Sequence, residues 1–156
     1  MSNRGFTLIE LVITVALVGL LATAAFPLAA MAARRTKEQE LRLALREIRD
    51  ALDAYKMAFD QGHISQEVAQ TGYPPDLEVL AAGVEDIKDP DAGMMYFLRR
   101  VPRDPFFPDA AAPAARTWGL RSYASPPDDP QPGEDVFDVY SLSPGTGLNG
   151  VKYRDW

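Results

Sequence analysis

Apolar and polar positions change pattern once along this chain, near residue 34. Residues 11–33 are 23 consecutive residues without a charge. At about 1.5 Å each, a helix of that length crosses a bilayer core of about 30 Å. Beyond it, Leu41, Leu45, Ile48, Leu52, Tyr55 and Phe59 follow spacings of 4, 3, 4, 3 and 4, the single stripe of an amphipathic helix. Glu38, Arg42, Glu47, Arg49, Asp53 and Lys56 are assigned to its other faces. No Gly or Pro interrupts residues 34–61, and Gly62 is placed to stop the helix. The pattern predicts one helix over 6–61. Pro27 lacks a backbone donor and crowds the preceding turn, so a kink or stretched segment is expected there, with Gly19 a weaker point upstream. The stripe suits a coiled-coil seam between copies or a face packed on the chain's own domain. With only about three heptads, the second is preferred.

The rest reads as shorter elements. Residues 65–70 suggest a helical turn. Residues 74–83 predict a short helix, with Pro74 and Pro75 leading in, Asp76 and Glu78 near its start and Gly83 as its stop. Three β-type runs follow, 94–101, 118–124 and 136–141. The last alternates Val136, Asp138 and Tyr140 against Phe137, Val139 and Ser141. Turn-rich loops such as Pro126-Pro127-Asp128-Asp129-Pro130 separate them. The expected fold is α+β: the long helix packed through its stripe on a small three-stranded antiparallel sheet. Trp118, Tyr123, Phe137 and Tyr140 are expected in its core.

Composition narrows the function. Beyond the apolar run remain about 123 residues, one compact domain. Twelve of the 13 prolines lie from Pro74 onward, marking that half as loop-rich. The net charge of −6 argues against nucleic acid as a partner. With no cysteine, disulfides, thiolate metal sites and a cysteine nucleophile are excluded. A lone histidine, His63, rules out multi-histidine metal sites and weakens any triad; at the helix end it reads as a capping or surface group. The pairs Asp89 and Asp91, Asp128 and Asp129, and Glu134 and Asp135 lie in turns, where acids cap or solubilise more often than they catalyse. No phosphate loop, nucleophile elbow or paired metal motif occurs, so catalysis is not expected.

Glu10 carries the sharper signal. A carboxylate at the mouth of an apolar span costs about 2.5–3.5 kcal/mol to insert and needs a partner; an amine made by cutting the chain ahead of Phe6 supplies one. A secretory signal peptide ending at Ala30-Met31-Ala32 is the plainer alternative, but its apolar region would run only about 7–15 residues. A third option is a single-pass anchor that is never cut. Basic residues do not settle orientation, since Arg34, Arg35 and Lys37 follow the span and only Arg4 precedes it.

Arg4-Gly5-Phe6-Thr7-Leu8-Ile9-Glu10 resembles the class III leader junction of type IV pilins and type II secretion pseudopilins. That resemblance implies cleavage between Gly5 and Phe6 by a prepilin peptidase, N-methylation of Phe6, and pairing of Glu10 with the terminal amine of a neighbouring subunit. Loosening of the helix between Gly19 and Pro27 on assembly is a further implication. Tyr73-Pro74, Asp104-Pro105-Phe106, the run from Trp118 to Tyr123 and that from Asp135 to Ser141 resemble the major, G-class pseudopilins. The implied organisation is a leader at 1–5, a transmembrane and assembly helix at 6–33, and a periplasmic domain at 34–156. Within that domain the amphipathic helix spans 34–61 and a loop-rich part 62–156. The implied function is structural, a pseudopilus subunit whose polymerisation helps drive folded proteins outward. The expected location is the inner membrane, single-pass, with the C-terminal domain in the periplasm. Expected partners are further copies of the chain, prepilin peptidase, minor pseudopilins, the inner-membrane secretion platform and membrane lipid. A minor pseudopilin or a pilin of a surface fibre is the alternative, and a soluble exported binding domain a more distant one. No cofactor is expected except, from the G-class resemblance, calcium in the C-terminal loop. Here that loop has few acids; Asn149 and Asp155 are the available side chains, and a turn cluster closed by Tyr153 and Trp156 is the competing reading. Many pilins close this region with a disulfide, which this chain cannot form.

Overall fold

The computed structural model describes residues 6–65 and 71–156. The leader, with Gly5, and residues 66–70 of the expected helical turn lie outside the described residues. Helix α1 runs from Leu8 to Asp60 and is followed by α2 at Glu78–Ala82. Strands β1 (Val84–Glu85) and β2 (Met94–Met95) come next, then β3 (Trp118–Arg121) and β4 (Asp138–Ser141). Short 3-10 turns at Ala114–Thr117 and Tyr153–Asp155 complete the order. Two compact units result, one reaching to Lys37 and one from Glu38 to Trp156.

In the first unit α1 carries no charge across residues 11–33, and Leu8, Leu20, Leu21 and Phe26 are strongly exposed, as is Phe6 just ahead of the helix. Its threonine hydroxyls are satisfied locally: Thr14 donates to the Leu11 carbonyl at 2.9 Å and Thr23 to that of Leu20 at 2.7 Å. The segment therefore presents few unmet polar groups to an apolar surrounding. Helical conformation continues through Pro27. Lacking an N–H, that proline leaves the Thr23 carbonyl without its usual donor four residues on.

In the second unit the stripe forms as its spacing predicts, with Leu41, Leu45, Ile48, Leu52 and Tyr55 buried. Gly62 ends α1 in a left-handed conformation at φ 76°. Its N–H bonds Phe59 O at 2.8 Å and that of His63 bonds Ala58 O at 2.9 Å, the paired bonds of a Schellman stop. At Gly83, φ is 86° and the N–H meets Val79 O at 3.0 Å, ending α2.

The α+β class stands, but the expected three-stranded sheet is replaced by two separate antiparallel pairs. One joins β1 to β2; the other joins β3 to β4, with Trp118 opposite Ser141 and Arg121 opposite Asp138. The 94–101 run yields only two paired residues. Phe97 and Leu98 both turn their N–H groups onto the Leu80 carbonyl at the end of α2, at 3.0 and 2.9 Å. Donors spent on a helix end cannot extend a ladder. Trp118 is buried as expected, Phe137 and Tyr140 are half-buried, and Tyr123 is exposed. β3 has ended before Tyr123, whose ring stacks on Tyr73 at 5.8 Å instead of entering the core.

Buried polar groups tie these loops down. Asp104 accepts from the Phe106 N–H at 2.7 Å and the Ser141 hydroxyl at 2.6 Å. Asp135 accepts from the Tyr123 N–H at 2.8 Å. His63 Nδ1 donates to Asp86 at 2.8 Å, linking the end of α1 to the β1–β2 turn. Asp86 also accepts from the Lys88 N–H. That backbone bond first, then the His63 bond, holds the Asp86 carboxyl below the ordinary aspartate range. A folded-state value below the unfolded one adds stability above the unfolded value and loses it as pH falls through the folded one. We therefore expect Asp86 to titrate below an exposed aspartate in a chemical-shift titration. Asp86→Asn should flatten the acid limb of the stability curve; an unchanged limb would contradict this assignment.

Candidate functional site

The sequence points to the start of α1, and the structure gives that end a definite geometry. Leu8 is the first helical residue, which makes Thr7 the N-cap and Glu10 the third residue inside. The Thr7 N–H and hydroxyl donate to Glu10 Oε2 at 2.9 and 2.8 Å, while the Glu10 N–H approaches the Thr7 hydroxyl oxygen at 3.4 Å. This is a reciprocal capping box. Considering Glu10 only as the partner of an amine overlooked it, although Thr7-Leu8-Ile9-Glu10 carries the required spacing.

The box has a chemical consequence. Both donors fall on Oε2, and a carboxylate has about four acceptor positions. Oε1 keeps acceptor capacity for a cation while the box holds the side chain in place. Phe6, directly before the cap, is 85% exposed. Phe6 and Glu10 thus share one end of the helix, and Pro27 lies further along its exposed apolar part.

At the other end of the chain, the C-terminal turn tests the expectation of calcium. Gly147 N–H bonds Val151 O at 2.7 Å, and Tyr153 N–H bonds Gly145 O at 3.0 Å. Tyr153 is buried, stacked on Phe106 at 4.2 Å and edge-on to Trp156 at 5.1 Å. Glu38 sits beneath this turn: its Oε1 accepts from the Leu148 N–H and the Tyr153 hydroxyl, each at 2.9 Å. Placing Glu38 on a polar face was therefore wrong. It precedes Leu41 by three residues and extends the buried stripe, where its charge is used on the loop. Asn149 Oδ1 is occupied by the Val151 N–H at 3.1 Å, and Asp155 Oδ1 lies 4.0 Å from the Arg154 guanidinium. Among the described residues no group of three or more acidic, histidine or cysteine side chains could hold a metal. Calcium takes six to eight oxygens, so backbone carbonyls of this turn would have to supply most of a site here.

Helix α1 is long and apolar enough to cross a membrane, and its most apolar window is wholly unburied. That fits membrane anchoring and separates it from the core helix of a soluble protein. Residues 1–26 match the family described as the prokaryotic N-terminal methylation motif. The match covers about one sixth of the chain and gives its N-terminal segment the motif typical of type IV pilin-like proteins and pseudopilins, which are structural subunits. No curated protein and no solved structure matches the chain.

Removing Glu38 leaves a buried hydroxyl and an amide without their acceptor, a cost of about 1–3 kcal/mol. Glu38→Ala should lower the unfolding temperature accordingly, with Glu38→Gln less affected. Chelator should leave the unaltered protein's melting curve in place. An unchanged unfolding temperature in Glu38→Ala would overturn the assignment of Glu38 as the anchor of this turn, and a rise of several degrees on adding calcium would mark a metal site in the domain.

Proposed function

We propose that the chain is a major, G-like pseudopilin, the structural subunit of the periplasmic filament of a type II secretion system. It is made as a precursor and sits in the inner membrane by one span, with residues 34–156 in the periplasm. Prepilin peptidase cuts between Gly5 and Phe6 and methylates the Phe6 amine. The observation that carries this reading is the methylation motif lying on a helix whose apolar side chains are exposed all round. Such a surface is stable only in lipid or against further apolar helices. In this reading membrane lipid holds the subunit before assembly, and copies of the same helix replace lipid in the filament.

Apolar contact supplies attraction, and the pair between Glu10 and the new amine supplies register. A buried ion pair is often close to neutral in net energy, so its contribution here is specificity. Work comes from an assembly ATPase; minor pseudopilins and the inner-membrane secretion platform are further partners, and growth of the filament pushes folded cargo outward. The absence of cysteine favours this reading over a pilin closed by a disulfide. The domain acts as a shaped structural part and holds no cofactor.

Terminal sequencing of the mature protein tests the proposal: N-methylated Phe6 supports it, whereas a start at residue 33 or beyond removes it. The capping box permits a second separation. Glu10→Gln keeps an acceptor at the third helical position but removes the charge. If charge sets register, Glu10→Gln and Glu10→Ala should both be processed normally and both lose most filament yield. Near-normal yield from Glu10→Gln would assign the residue to helix capping alone.

A further inference from the structure

The C-terminal turn holds a reactive pair of residues that the proposed function leaves unused. Two asparagines occur in the chain, Asn3 and Asn149, and only Asn149 precedes a glycine. In an Asn-Gly pair the glycine nitrogen can attack the side-chain amide carbon and close a five-membered ring. Bulk on the following residue usually hinders this, as does a fold that holds the two groups apart. Gly150 removes the first obstacle. Its φ is 81°, a left-handed conformation open to glycine, and nothing stands within 4 Å of where a Cβ would be. Asn149 and Gly150 are both exposed, so water reaches them.

The Asn149 side chain removes the second obstacle, because it folds back over its own turn. Its Oδ1 accepts from the Val151 N–H at 3.1 Å, the bond of an Asx turn. It also fills the space above Gly147, where a Cβ would stand 2.6 Å from Oδ1. The ring closed by the Val151 bond contains the Asn149 amide carbon and the Gly150 nitrogen together. That N–H draws electrons from the amide carbon and meets the negative charge developing on Oδ1, as an oxyanion donor does. One contact opposes attack: the Gly150 N–H donates to the Gly147 carbonyl at 2.9 Å and must be released. A single exposed turn bond contributes little net, so its release slows attack no more than about tenfold.

From this geometry we propose that Asn149–Gly150 is a site of spontaneous modification, at which Asn149 becomes aspartate or isoaspartate. The Gly150 nitrogen bonds to the Asn149 side-chain carbon, and its proton leaves with the amide nitrogen as ammonia. Water then adds to one of the two carbonyls of the succinimide and breaks that carbon's bond to the ring nitrogen. Opening at the backbone carbonyl leaves isoaspartate, and opening at the side-chain carbonyl leaves aspartate. Either product adds a negative charge to the wall of a cavity of about 500 Å³ that Arg42 and Arg46 also line. Isoaspartate routes the main chain through the former side chain, inserting a methylene between Gly147 and Val151. Those two residues close the turn, Gly147 N–H to Val151 O at 2.7 Å, and Leu148 between them is held by Glu38. The modification therefore loosens the turn that Glu38 anchors. It needs no second protein and does not depend on whether the chain polymerises.

Full-length protein in detergent micelles, held at neutral pH and followed by peptide mapping, should gain the mass of amide-to-acid conversion at Asn149. Its rate should fall within about tenfold of that for the same chain with the second unit unfolded in urea. A slower folded rate overturns the proposal, because the turn then protects the pair. Asn149→Gln, which would need a larger ring, should lose the gain; persistence of the gain in that variant also overturns the assignment. The isoaspartate fraction, separated by its added charge, should melt below the unaltered chain. Equal melting would overturn the link to the turn over Glu38.

Discussion

Burial of one face of α1 between Glu38 and Tyr55 holds the second unit together. Neither strand pair could support the rest: β1 and β2 pair over two residues each, and β3 and β4 over four. Two-stranded ribbons of this size are at best marginal in water. Their stability comes from the helix beneath them, whose stripe brings Leu77, Leu80, Leu98, Trp118, Val136 and Val139 into one cluster. An all-apolar stripe would give this cluster cohesion but little register. The polar members, Glu38 under the C-terminal turn and Arg49 on β4, set where each loop lies along the helix.

The same helix serves two different surroundings. Among the described residues up to Lys37 none is buried, and from Glu38 onward a full stripe is buried. Its two parts therefore need different solvents, apolar for one and water plus a packed domain for the other. Helical hydrogen bonding makes this possible, because the ladder, interrupted at Pro27, satisfies the backbone in either medium. The Thr7–Glu10 box performs that task at the first turn, where the ladder itself cannot.

Function follows from this division. One end of the helix keeps a carboxylate fixed beside Phe6 with acceptor capacity to spare. In the other part, cations and carboxylates alternate over the surface beside β4, where Arg49 pairs with Asp138. In the proposed filament, the spare acceptor capacity of Glu10 is what the terminal amine of a neighbouring copy would use.

How much of this could be read without coordinates depended on the range of the interactions. The apolar run, the stripe from Leu41 to Tyr55, the stops at Gly62 and Gly83 and the motif at Gly5, Phe6 and Glu10 were visible, because each is written in local spacing or backbone chemistry. The Thr7–Glu10 box is equally local, written in the three-residue spacing of Thr7 and Glu10, but a carboxylate beside an apolar span draws attention to its charge first. Tertiary structure alone decided the rest. The Leu80 carbonyl took the donors of Phe97 and Leu98 and broke the expected sheet in two, while Tyr123 found Tyr73 outside the core. Glu38 became a buried anchor only because Leu148 and Tyr153, more than a hundred residues away, supply its donors. A sequence pattern records which face a helix must bury; it does not record which distant loop arrives to cover it.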